Sequence, residues 1–157
     1  MRSFLKLLAL LLGAFIINSC VGSMPEYKNT QSHYIIFKTP KFAYADMGFV
    51  AKAPNEVKVE IYSNGQAVVR LRITPTQVCM SQLKCMSGKK FNSEYLGAPY
   101  PEDTLFRVFR GEEIFNGEGK EELGDGFIQR VGSVEYKVVG DKVSFIDSTN
   151  GVKIEIK

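Results

Sequence analysis

The chain has 157 residues, with 20 basic and 17 acidic side chains, one histidine, three cysteines and no tryptophan, and 45% of it is apolar. That length supports one domain with a real core, burying about two thirds of the unfolded surface. Two of the basic residues, Arg2 and Lys6, lie in an apolar N-terminal segment; without them 18 basic side chains face 17 acidic ones, which removes the electrostatic case for a nucleic-acid partner.

Taken in chain order, Arg2 and Lys6 form a positive n-region, Leu7 to Ile17 is apolar and broken only by Gly13 and Ala14, and Ile17-Asn18-Ser19-Cys20 follows. A spanning helix needs about 20 apolar residues, and this run has barely more than half of that. The segment resembles the signal peptide and lipobox of bacterial lipoproteins, of the type cut by signal peptidase II. The bland alternative is a plain secretory signal whose cleavage site happens to hold a cysteine. The resemblance implies that residues 1–19 are removed, leaving 138 of the 157 residues. It also implies that Cys20 carries a covalent lipid, several acyl chains that anchor the protein stably to a membrane, with no other cofactor. In such lipoproteins an Asp after the lipidated Cys tends to retain the protein at the inner membrane, and here that position is Val21. The implied address is the outer membrane, with the domain in the periplasm.

Residues 20–32 are polar, contain Gly, Pro and Ser, and lack an apolar period, so they read as a lipidated tether. Residues 33–157 read as a single β-rich domain, with turn signals about every ten residues. Tyr34-Ile35-Ile36-Phe37 and the stretch from Phe42 to Lys52 predict one or two strands with a bend near Asp46 and Gly48. From Glu56 to Tyr62, Val57, Val59 and Ile61 alternate with Lys58, Glu60 and Tyr62, a half-buried strand. Asn64-Gly65 predicts a tight hairpin, because both residues tolerate the positive φ of a type I′ turn. Ala67, Val69, Leu71 and Ile73 alternate on the returning strand. With Cys20 lipidated, Cys79 and Cys85 remain as an even pair in an oxidising compartment. A disulfide is the favoured reading, worth about 2 kcal/mol over so short a loop; a reduced pair and a redox-active pair remain open, although no C-x-x-C motif is present.

Pro101 to Arg110 predicts a helix: Pro at the first position, Glu102 and Asp103 at the positive end, Arg107 and Arg110 at the other, and Gly111 to stop it. Leu105, Phe106 and Phe109 share one face and predict packing on a sheet. Asn116 to Gly126, glycine-rich and acidic, predicts an exposed loop. Val134–Val138, Val143–Phe145 and Val152–Ile156 alternate around turns at Gly140-Asp141 and Asn150-Gly151 and predict a three-stranded meander.

Enzymatic chemistry finds little footing, and the expectation is that the domain is not an enzyme. His33 is the sole histidine and has no nucleophile motif nearby. A cysteine pair able to form a disulfide is a poor nucleophile. Asn116 to Glu121 fails as a phosphate loop because Glu121 stands where Ser or Thr must follow the lysine. The carboxylates Glu118, Glu121, Glu122 and Asp125 lack the alternate spacing of a calcium loop, so no metal site is expected. What remains is an apolar face. If the sheet curls around the helix, Val59, Ile61, Val69, Leu71, Val138 and Phe145, with Phe106 and Phe109 as a lid, line a cavity for an acyl chain; otherwise the same residues are core.

The order of elements resembles that of the LolA and LolB lipoprotein carrier and receptor families, a half-open antiparallel barrel covered by helices. The resemblance rests on the hairpin from Val57 through Asn64-Gly65 to Arg72, the Pro-started helix from Tyr100-Pro101 to Gly111, and the closing hairpin from Phe145 to Ile156 with Asp147 and Asn150-Gly151 in its turn, and covers roughly residues 41–157. It implies a mainly β fold with one or few helices, a curved antiparallel sheet or half-open barrel; a β-sandwich is the alternative. It also implies an outer-membrane lipoprotein that binds lipid or an acylated protein in lipoprotein localisation. LolB-type proteins carry a protruding loop with an exposed Leu, where this chain has the short, polar turn Ser63-Asn64-Gly65-Gln66. The other functional expectation is a structural or adaptor lipoprotein that binds an envelope protein through an immunoglobulin-like sandwich.

Overall fold

The computed structural model describes residues 26–80 and 84–157. The segment predicted as signal peptide, Cys20 and the first part of the tether lie outside the described residues. Eleven strands form one curved antiparallel sheet that does not close. Six precede the helices: β1 (Asn29–Lys38), β2 (Ala43–Ala53), β3 (Glu56–Ser63), β4 (Gln66–Ile73), β5 (Gln77–Cys79) and β6 (Cys85–Ser87). Five follow: β7 (Lys120–Leu123), β8 (Gly126–Val131), β9 (Val134–Val139), β10 (Lys142–Asp147) and β11 (Val152–Ile156). Each group is a meander, and β11 returns to pair with β1, so the two join at the middle and end in the edges β6 and β7.

Local chemistry explains the turns. The Thr39 hydroxyl accepts from the N–H groups of Lys41 and Phe42, which folds β1 back into β2 around Pro40. Asn64 and Gly65 have φ of 50° and 77°, as the predicted type I′ turn requires, and the register shifts at Ile61/Tyr62 just before it. Gly48 permits a close approach at the bend of β2. A Cβ there would stand 2.3 Å from the Glu60 carbonyl oxygen and 2.8 Å from Ile35 Cδ1.

Three expectations need correction. Asn29–Ser32, assigned to the tether, are paired with Phe49–Lys52 as the start of β1. Asn116 to Gly126 is exposed but is not simply a loop. It contains a 3-10 turn (Phe115–Gly117) and the edge strand β7, hydrogen-bonded to β8. Gln129 holds this segment down, accepting from Ile114 N–H and donating to the carbonyls of Ile114 and Glu118. The predicted helix begins three residues late: α2 spans Thr104–Arg110, and Pro101 is in the preceding turn. The buried Asn92 explains this, because its side-chain amide donates to the carbonyls of Tyr100 and Pro101 and fixes them in the connection. Asn92 itself starts a π-helical turn (Asn92–Leu96) that continues α1 (Gly88–Phe91), a helical segment that the sequence did not reveal.

The α2 helix crosses the core face of the sheet, packed against β3 on one side and β10 on the other. Leu105, Phe106 and Phe109 are buried as predicted, with Phe109 edge-on to Phe37 at 5.8 Å. Its C-terminal end is tied to the β2–β3 turn, where Arg110 donates to the Ala53 carbonyl and Lys52 donates to the Arg110 carbonyl.

Candidate functional site

The concave face is filled. All eight side chains predicted to line a cavity (Val59, Ile61, Val69, Leu71, Phe106, Phe109, Val138 and Phe145) are at most 8% exposed and belong to one buried cluster, joined by Ile35, Phe37, Tyr136 and Ile154. They are the core that α2 seals. An opening onto this core lies further along the sheet. Strand β5 pairs with β4 only through Arg72 and Ile73, so among the described residues nothing pairs with the far edge of Gln66–Leu71.

Beside that uncovered edge runs a hollow of about 170 Å³ lined by Phe42, Tyr44, Val68, Val69, Arg70, Leu71 and Met80. Its walls are set by local structure. The Thr39 turn aims Phe42 back over the sheet, with its ring 5.0 Å from Phe37 and 5.6 Å from Tyr44. Tyr44 pairs with Phe37 and shares its core-facing side. Tyr95, on the π-helical turn, stacks on Phe91 at 4.9 Å and lies 6.4 Å from Phe42, and Lys84 Nζ donates to its hydroxyl at 3.0 Å. Met80 is held by the β5–β6 hairpin, whose ends are joined by a Cys79–Cys85 disulfide and whose loop is closed by Met80 N–H to Lys84 C=O. The disulfide is therefore present, and its role here is to position the methionine wall. Phe42, Tyr44, Met80 and Tyr95 are only partly buried. The groove is thus a half-wet aromatic and thioether surface, continuous with the core through Val69 and Leu71 and edged by the exposed Arg70. Such a surface binds apolar chains without a fixed shape, because Met is flexible and polarizable and the rings present large apolar faces.

Of the sequence-predicted apolar set, only Val69 and Leu71 reach this groove; the other six do not. Phe42, Tyr44, Met80 and Tyr95 were not singled out. The available signal was the aromatic pair Phe42/Tyr44 at i, i+2, which places two rings on one strand face.

A second hollow, about 480 Å³, lies between the α2 approach and the closing hairpin and includes Tyr100, Phe115, Ser133, Asp147 and Asn150. Phe115 and Asn116 hold φ of 50° and 55° there, a left-handed backbone that non-glycine residues rarely adopt. Its polar centre is already saturated. The Tyr100 hydroxyl donates to Asp147, which also accepts from Ser133, Thr149 and Asn150. Burial and the adjacent carboxylate push the Tyr100 hydroxyl far above the ordinary tyrosine value. Burial alone would raise Asp147, but the bonds from Tyr100, Asn150 and Ser133 outweigh it and hold it at about 2. This is a latch between helix approach and hairpin, with no donor or acceptor left for a ligand at the carboxylate. His33 is half buried on β1 opposite Gly48. Among the described residues no group of three or more His, Cys, Asp or Glu is placed to hold a metal ion, and no helix is long and apolar enough to cross a membrane.

No protein-family model matches the chain, and no curated protein matches it.

Proposed function

We propose that this protein is an outer-membrane lipoprotein, anchored through Cys20, whose non-enzymatic β domain engages the acyl chain of a lipid or an acylated protein and serves lipoprotein localisation. The observation that carries this reading is the half-exposed groove of Phe42, Tyr44, Met80, Val69 and Leu71, which leads from solvent to the core beside an uncovered strand edge. Burying each methylene there contributes about 0.8 kcal/mol, so four methylenes give about 3 kcal/mol. Native mass spectrometry of the mature chain with an acylated peptide and its unacylated twin tests the reading. One-to-one adducts with the acylated peptide alone support it, and equal adducts or none reject it.

The uncovered edge of Gln66–Leu71 favours a second reading, an adaptor that captures an extended segment of an envelope protein. Such a segment would add a strand to β4 through main-chain hydrogen bonds, with the groove receiving alternate side chains. Under that reading the unacylated peptide binds as well as the acylated one.

A further inference from the structure

The outer face of the sheet, opposite the core, carries an apolar patch that the groove does not explain. Tyr34 and Met47 are cross-strand partners, 42% and 50% exposed, and Phe49, 42% exposed, packs edge-on against Tyr62 at 5.8 Å. The pairing register continues this row sideways from Tyr34 to Lys157, whose backbone it bonds in both directions, then to Lys142 and Val139. There a hollow of about 390 Å³ is framed by Lys137, Lys142, Lys157, Val139 and Ser144; Lys157 is ion-paired with Glu155 at 2.8 Å on the same face, so Lys137 and Lys142 supply its cationic edge. Large apolar side chains beside clustered lysines on one face match the border of an anionic bilayer: rings and a thioether at headgroup depth, ammonium groups against phosphates.

The route of the chain indicates which surface covers the patch. Tyr27 reaches across from the start of β1 to donate its hydroxyl to Glu56, which Arg72 also holds. Glu56 lies on the outer face, as does Ala51, and both are buried. The chain therefore enters the domain along this face. Phe49 pairs with Ser32, three residues from Asn29, or about 10 Å along the strand. Only six residues separate Cys20 from Tyr27, seven chain steps with a reach of about 25 Å when fully extended. A lipid on Cys20 thus holds the patch within a short distance of the bilayer.

We infer that the outer face of β1, β2 and β9–β11 docks on the anionic membrane surface to which the chain is anchored, with Tyr34, Met47 and Phe49 at headgroup depth and Lys137 and Lys142 of the hollow taking lipid phosphates. The inference rests on the lipid-anchor reading of Cys20. It leaves the Phe42–Met80 groove, which belongs to the opposite face and the β4 edge, free to receive a ligand.

The absence of tryptophan makes the test direct. The full chain, lipidated in a Gram-negative host and checked by intact mass, is reconstituted into vesicles of phosphatidylethanolamine and phosphatidylglycerol with brominated acyl chains. Single tryptophans are placed by Phe49→Trp and Met47→Trp on the patch and by Lys89→Trp on the exposed side of α1, which covers the opposite, core face of the sheet. Docking predicts severalfold stronger bromine quenching and a blue-shifted emission for the two patch reporters, and predicts that adding Lys137→Glu and Lys142→Glu to Phe49→Trp reduces that quenching while the protein still floats with the vesicles. Equal quenching at Phe49→Trp, Met47→Trp and Lys89→Trp in a protein that floats overturns the docking and leaves the anchor standing. A chain with no acyl mass on Cys20 that does not float overturns the anchor, and the docking with it.

Discussion

Replacing Asp147 with Asn tests whether the latch between the helix approach and the closing hairpin stabilises the domain through its charge. Asp147 is 1% exposed, and its two oxygens accept five hydrogen bonds from Tyr100, Ser133, Thr149 and Asn150. Those bonds outweigh burial and hold its pKa at about 2, against an ordinary 3.8. The gap corresponds to about 2 kcal/mol of folding stability, at about 1.4 kcal/mol per pH unit. The folded value is the lower one, so this stability is complete above about pH 5 and is lost as the pH falls through 4 towards 2. Asp147→Asn keeps the shape, removes the charge and turns an amide N–H₂ towards one of the present donors. Urea unfolding followed by far-UV circular dichroism should therefore show the variant about 2–3 kcal/mol less stable than the wild type at pH 7. The difference should shrink to roughly half at pH 3. A variant as stable as the wild type at pH 7, or a difference that stays constant down to pH 3, would refute the argument.

Reducing the Cys79–Cys85 bond releases a loop of about seven residues and should cost about 2 kcal/mol by chain entropy; parallel thermal melts with and without reductant should differ by several degrees, and intact mass should rise by two hydrogen atoms. Gly48→Ala places a methyl group against the Glu60 carbonyl and Ile35 and should destabilise the domain by about 1–3 kcal/mol in urea titration, as overpacking does. Phe106→Asp puts a carboxylate into a site only 8% exposed, beneath Arg110. It should act chiefly on folding, lowering stability by about 3 kcal/mol or more, whereas any variant fraction that remains folded should still bind an acylated peptide, because Phe106 does not line the groove.

Where one face of a strand is buried and the other wet, alternation made the fold legible. The pattern Val57/Val59/Ile61 against Lys58/Glu60/Tyr62 and the Asn64-Gly65 turn located β3 and β4, and the three alternating segments after Val134 located β9, β10 and β11. Elements with no such contrast were hidden. Lys120–Leu123 is an edge strand with largely exposed side chains, so it carries no period. Asn29–Ser32 extends beyond the end of β11 and is exposed throughout, which makes its composition that of a tether. The helical segment after Ser87 buries Phe91 and Leu96; five residues apart, they share a face only because the chain passes from α to π winding there, and a search at 3.6-residue spacing misses them. The groove escaped for a different reason. Its walls come from the β1–β2 turn and the start of β2, from β4 and from the β5–β6 hairpin, and what joins them is the short overlap of β5 with β4, a tertiary fact with no local trace. Six of the apolar residues were expected on the concave face with Phe106 and Phe109 over them on the helix, and all eight are buried between sheet and helix; periodicity measures which way a side chain points and not whether another element fills the space in front of it.

Photolabelling tests acyl recognition at the groove most directly. A peptide acylated with a diazirine-bearing palmitate is irradiated with the mature protein, and the adducts are mapped by tryptic mass spectrometry. The account predicts labels on Phe42, Tyr44, Met80 and the Val69–Leu71 stretch, lost when unlabelled acylated peptide competes. Labels confined to Tyr34, Met47 and Phe49 on the outer face, or no labelling of a folded protein, would contradict it.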